Sequence, residues 1–91
     1  MAEKIRCAHI LVEKQSVAYS ILEKINKGES FSKLAEQFSI DSSRRRGGDL
    51  GYFGRGVMVK EFEKAAFSLN KGEVSQPIKT QFGYHIIKRL D

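Results

Sequence analysis

The chain has one cysteine, one proline, two histidines and no tryptophan among its 91 residues. A lone Cys7 cannot close an intrachain disulfide, and no Cys/His spacing suits zinc, so a disulfide scaffold and a zinc finger are excluded. Two histidines without a third ligand do not make a metal site. No apolar run approaches the ~20 residues a membrane-spanning helix needs. Met1 leads straight into Ala2-Glu3-Lys4 without the apolar segment of a secretory leader, so a cytoplasmic place is expected. The glycine-rich stretch Gly47 to Gly54 lacks the Gly-Lys-Ser/Thr ending of a phosphate loop. No G-x-G-x-x-G stands between a strand and a long helix either, so a nucleotide site is unsupported. No serine or cysteine sits in a nucleophile motif.

What remains is an ordinary globular composition, with 41% apolar and 30% charged residues. A single domain over 1–91 with one modest core is expected at this length. The net charge of +5 is unevenly placed. Residues 1–43 hold six basic and six acidic side chains, whereas residues 44–91 hold ten and five. Arg44-Arg45-Arg46 is the densest cluster. Such asymmetry fits a solvated surface, or weak contact of a basic surface with anionic lipid or nucleic acid. Aromatic residues are not interleaved with the arginines as stacking on bases would require.

Periodicity divides the chain into seven elements. Ile5 to Val12 reads as a covered central strand, with Ile5, Cys7, His9 and Leu11 on one face and Arg6, Ala8, Ile10 and Val12 on the other. From Lys14 to Lys27 the period is helical, with Val17, Ile21, Leu22 and Ile25 on one stripe and Gly28 as the stop. Ser30 caps a second helix carrying Phe31, Leu34, Ala35 and Phe38 inward. Asp41 to Gly48 is a loop or a short helical turn. Asp49 to Phe53 is a short strand, and Lys60 to Ser68 a third helix. Val74 to Thr80 is an edge strand that tolerates Pro77. Tyr84 to Leu90 is a last strand, in a hairpin with the one before. The order predicts an α+β fold, a small four-stranded mostly antiparallel sheet with three to four helices packed on it.

Both histidines fall inside predicted strands, where solvated histidines are unusual. They are either hydrogen-bonded core residues or, if the first and last strands are neighbours, imidazoles facing each other on one sheet surface. Asp41 is either a cap for the turn after it or the group that orients an imidazole. Leu50, Met58 and Phe62 are either core or the floor of an apolar pocket, for which the adaptable Met is suited.

Taken in order, His9-Ile10-Leu11-Val12, Gly47-Gly48-Asp49-Leu50-Gly51-Tyr52-Phe53, Gly56-Val57-Met58-Val59-Lys60-Glu61-Phe62, Ala66-Phe67-Ser68-Leu69, Gly72-Glu73-Val74-Ser75 and Thr80-Gln81-Phe82-Gly83-Tyr84-His85-Ile86-Ile87 resemble the parvulin family of peptidyl-prolyl cis/trans isomerases. The blocks span nearly the whole chain, which is similar to the single-domain prokaryotic or archaeal type. The resemblance implies the parvulin form of the FKBP-like superfold. It implies catalytic roles for His9, Asp41, Thr80 and His85, and a substrate-binding pocket of Leu50, Met58, Phe62 and Phe82. It also implies no metal or cofactor, and proline-containing peptides or unfolded proteins as partners; a monomer is expected. Asp41 stands where many parvulins carry Cys, which argues for a non-covalent mechanism. The loop after the first strand begins Glu13-Lys14 and carries no basic cluster, so no phosphate requirement before proline is expected. The alternative is a non-catalytic peptide-binding or chaperone module of the same fold.

Overall fold

The computed structural model describes residues 3–91. Its elements are β1 (Lys4–Val12), α1 (Gln15–Asn26), α2 (Phe31–Phe38), a 3₁₀ turn (Ser42–Arg46), β2 (Asp49–Gly54), α3 (Lys60–Ser68), β3 (Ile78–Thr80) and β4 (Gly83–Arg89). The strands form one antiparallel sheet in the order β2-β1-β4-β3. β1 therefore lies inside the sheet, and its alternation divides the core in two. Ala8, Ile10 and Val12, joined by Ile86, pack under Ala18, Ile21 and Leu22 of α1 and Phe31, Leu34 and Ala35 of α2. Ile5 and Cys7, joined by Ile87 and Phe53, pack under Phe62 and Ala66 of α3. Each face thus has its own helical cover, which is why β1 is apolar on both sides.

α1 ends where the sequence supplies a glycine. Gly28 has φ +96°, and its N–H donates to Ile25 O at 2.9 Å while Glu29 N–H donates to Lys24 O at 3.1 Å. This double bond satisfies the last carbonyls of the helix and turns the chain toward α2. Ser30 then accepts from Lys33 N–H at 3.3 Å and starts the next helix.

Three expectations are corrected. Val17 is 36% exposed and Ala18 takes the inward position, because the buried stripe runs 18-21-22, with Ile25 partly buried beside it, and not through 17. Phe38, in the last turn of α2, is also 36% exposed. The third strand shrinks from residues 74–80 to Ile78–Thr80. Upstream of it, Val74 pairs with Lys88 as an isolated bridge and Ser75 N–H donates to Ile87 O at 2.8 Å. Pro77 has no N–H to continue the ladder between these contacts.

Candidate active site

The register of β1 against β4 places Leu11 opposite His85 and His9 opposite Ile87. The histidines are therefore diagonal neighbours on the α3 face of the sheet, within reach of each other. Their Nδ1 atoms lie 3.0 Å apart, their ring centroids are 5.2 Å apart, and the rings are 18° from parallel. Both are buried. Phe62 of α3 covers them edge-on, 5.5 Å from His9 and 5.3 Å from His85.

The pair is continued at both ends. His9 Nε2 lies 3.1 Å from Asp41 Oδ2, and His85 Nε2 lies 2.7 Å from Thr80 Oγ1. Ser43 N–H donates to Asp41 Oδ2 at 3.0 Å, and Phe82 N–H donates to Thr80 Oγ1 at 3.2 Å. All four ring nitrogens of the two histidines are thus engaged. Asp41 caps the 3₁₀ turn and also lies within hydrogen-bond distance of an imidazole.

The charge on Asp41 sets the direction of every proton in this chain. Partial burial raises its pKa, but bonds from Ser43 and from His9 outweigh that and bring it down to about 2. An ionised carboxylate only accepts, so His9 Nε2 carries hydrogen and donates to it. His9 Nδ1 is then a lone pair, and His85 Nδ1–H donates to it. His85 Nε2 is left as an acceptor, which Thr80 Oγ1–H fills. The opposite polarity would need Asp41 protonated. Burial holds both imidazoles neutral. It lowers the pKa of His9 against the pull of Asp41, and it pushes His85 down to about 4 with help from His9 beside it.

Two backbone details hold the network in place. Gly48 has φ +85°, and a side chain there would begin 2.3 Å from the His9 carbonyl oxygen. The gap lets His9 N–H donate to Gly48 O at 2.9 Å, fastening the loop after Asp41 to the histidine strand. Ser39 Oγ, buried, accepts from Leu11 N–H at 3.1 Å and from Asp41 N–H at 3.3 Å. Ser39 carried no signal in the sequence, being one of several serines between helix and turn.

Beside the imidazoles opens a cavity of about 340 Å³, within the range of small-ligand pockets. Leu50, Met58, Phe62 and Phe82 line it, together with His9, His85 and Asp41. Leu50 and Met58 are half-buried, Phe62 is buried, and Phe82 stands 55% exposed at the mouth. Thr80 lies behind His85 and does not line the cavity. Leu11, Val57 and Val59 line it too and were not anticipated. Leu11 had a signal, since it shares the face of His9 two residues on. The valines flank Met58 in a loop, where no period reports which way a side chain turns. Among the described residues no group of three or more His, Cys, Asp or Glu could hold a metal ion. Cys7 is buried, and burial pushes its thiol up to about 11, far from a nucleophile's range.

Comparison with known proteins gives a consistent set of relatives. Residues 2–91 match the family described as the PPIC-type PPIase domain. The chain is 57% identical over 89 residues to the foldase protein PrsA of Geobacillus kaustophilus, covering 97% of this chain and 32% of that protein. It therefore spans about a third of the length of such curated relatives. Among solved structures, the parvulin of Nitrosopumilus maritimus superposes with a TM-score of 0.89 at 60% identity, covering 100% of this chain and 99% of that one. PrsA of Bacillus subtilis superposes at 0.94 with 53% identity, covering 97% and 35%.

Proposed function

The chain belongs to the parvulins, the family of PPIC-type peptidyl-prolyl isomerase domains, and from that premise we propose that it speeds cis/trans rotation about X–Pro bonds without covalent chemistry. The observation that carries the mechanism is the saturation of the imidazole pair. Every ring nitrogen has a partner within 3.1 Å, so neither histidine has a free site to take or give a proton. His9, His85, Asp41 and Thr80 act by shaping the pocket and its field.

The reaction suits such a site. Rotation about an X–Pro bond crosses a barrier of roughly 18–20 kcal/mol and takes tens of seconds or longer unaided. At the twisted state the amide loses resonance and becomes less polarised. A thousandfold acceleration needs about 4 kcal/mol of stabilisation of that state over the planar ones. Gripping the proline ring against Met58, Leu50 and Phe62 supplies about 2 kcal/mol of binding, shared by both isomers. The selective part comes from excluded water and from Asp41, whose charge faces the cavity with its side chain 32% exposed. A carboxylate beside the substrate carbonyl disfavours the resonance form that puts negative charge on that oxygen. The planar amide is thereby raised relative to the twisted one.

The substrates we propose are proline-containing segments of peptides and unfolded proteins, with no gain from phosphate before proline. The foldase relatives support this class. The test is a prolyl-isomerisation assay on short peptides that vary the residue before proline. Binding without acceleration would favour the alternative, a peptide-holding module; one structural relative is described as a SurA-like chaperone. We further propose a monomeric, cytoplasmic domain whose basic surface makes weak, salt-sensitive contact with anionic lipid or nucleic acid. Sedimentation, cell fractionation and binding at varied salt test these points.

A further inference from the structure

Between β2 and α3 the chain makes a short turn, Arg55 to Val59, that carries Val57, Met58 and Val59 into the cavity. Gly56 sits at its apex with φ +86° and is exposed, and nothing lies within 4 Å of where its side chain would be. The apex is open on its side-chain face, and its backbone N–H is bonded by Glu63, from the first turn of α3. Its Oε1 accepts from Gly56 N–H at 2.5 Å, and its Oε2 lies 4.0 Å from Arg55 Nη1. Glu63 makes no cap for its own helix: α3 starts without a side-chain cap, and Glu63 N–H already donates to Val59 O at 2.9 Å. The carboxylate reaches back seven residues instead. The bridge from 56 to 63 closes a ring of chain that contains Val57, Met58, Val59 and Phe62, all pocket residues. Arg55 is steadied separately, its guanidinium 4.2 Å from the centre of the Phe67 ring.

We propose that Glu63 is a positioning residue for the proline pocket, acting through Gly56 N–H to fix the turn that presents Val57 and Met58 to the ring. Glu63 does not line the cavity. Its effect belongs to binding, because without the bridge the turn must be ordered each time a proline enters. What matters is an acceptor at the correct reach, not a charge.

Three variants separate these, measured on the whole chain with a short X–Pro peptide. Glu63→Gln keeps an oxygen at the same reach and loses the charge. Glu63→Asp keeps the charge and withdraws the oxygen by one methylene. Glu63→Ala loses both. Peptide dissociation constants come from NMR titration, kcat and KM from exchange kinetics, and folding from thermal melts. The expected result is roughly fivefold weaker binding and higher KM for Ala and Asp, the worth of one net hydrogen bond, with kcat within twofold and Gln within twofold of the parent. The inference is overturned if Asp binds like the parent while Gln binds like Ala, which would make the charge to Arg55 the cause. It is equally overturned if all three bind like the parent, whatever their melting points. It rests on the cavity being the proline site. A parent that binds X–Pro peptides without accelerating them would sink the isomerase reading, yet the three dissociation constants would still decide the role of Glu63.

Discussion

Acid should unfold this protein earlier than its charge balance alone suggests, and the reason lies in the imidazole pair. In the folded chain burial holds His85 neutral down to about pH 4, against an ordinary value of 6.5. His9 is displaced in the same direction. Above pH 6.5 folded and unfolded states are both neutral at these groups and the contribution to stability is complete. Between 6.5 and about 4 the unfolded chain binds a proton that the folded chain refuses, so stability falls as pH falls. Keeping one imidazole neutral over that window is worth about 3 kcal/mol. His9 is lowered from the same ordinary value, so its loss adds to that of His85 from pH 6.5 downward. Asp41 enters later: with a folded value of about 2 against an ordinary 3.8, its contribution is lost as pH falls from 3.8 to about 2. A domain of this size has about 5–15 kcal/mol in total, so the His window alone is a large share. The assay is urea unfolding at pH 7, 6, 5 and 4, read by circular dichroism. The free energy should drop by at least about 3 kcal/mol from pH 7 to 4, the His85 share alone, and a His85→Gln variant should show a shallower slope despite starting lower. A parent curve flat between pH 7 and 4.5 would refute the neutral, buried pair.

Other outcomes follow from the same geometry. Asp41→Asn retains an acceptor for His9 and Ser43 but loses the charge, so it should stay folded with kcat/KM down roughly tenfold, about 1.4 kcal/mol in the transition state. Activity near full would show that the charge does not act on the amide. Phe62→Ala opens space under a fully packed ring and should cost about 3–4 kcal/mol in urea unfolding, as well as most of the activity. Met58→Ala, half-exposed in the cavity, should instead raise KM severalfold with a melting point nearly unchanged. The isomerisation rate should be flat from pH 6 to 9, since His85 and Cys7 titrate near 4 and 11, outside that range. A bell-shaped profile centred near neutrality would indicate acid–base chemistry at the histidines.

Much of the frame was legible because it rests on short periods. The two-sided apolar alternation of β1 and the abrupt switch to a helical stripe identify a covered strand followed by helices. The structure shows separate clusters on either side of that strand. The histidines were placed on strands, but their contact depended on which strands are neighbours and on a diagonal register. Both are set by long-range packing that no local pattern reports. A stripe through 17-21-22-25 and one through 18-21-22-25 differ at one position, by a single step of helical rotation, so the period alone does not choose between Val17 and Ala18. Packing of Ala18 against the sheet decides between them. Residues on either side of Pro77 resemble one ladder in sequence, while its missing N–H divides them into an isolated bridge at Val74 and a strand over Ile78–Thr80. In the turn from 55 to 59 no period exists at all, so Val57, Val59 and the reach of Glu63 became visible only in three dimensions.

The most direct test of the account is exchange NMR on a short peptide with one X–Pro bond, with the chain added well below the peptide concentration. Cis and trans signals should interconvert many times per second, and His9→Ala or His85→Ala variants that remain folded should lose most of that rate. A parent chain that binds the peptide while the isomers still exchange only over tens of seconds, or a folded histidine variant with undiminished exchange, would contradict it.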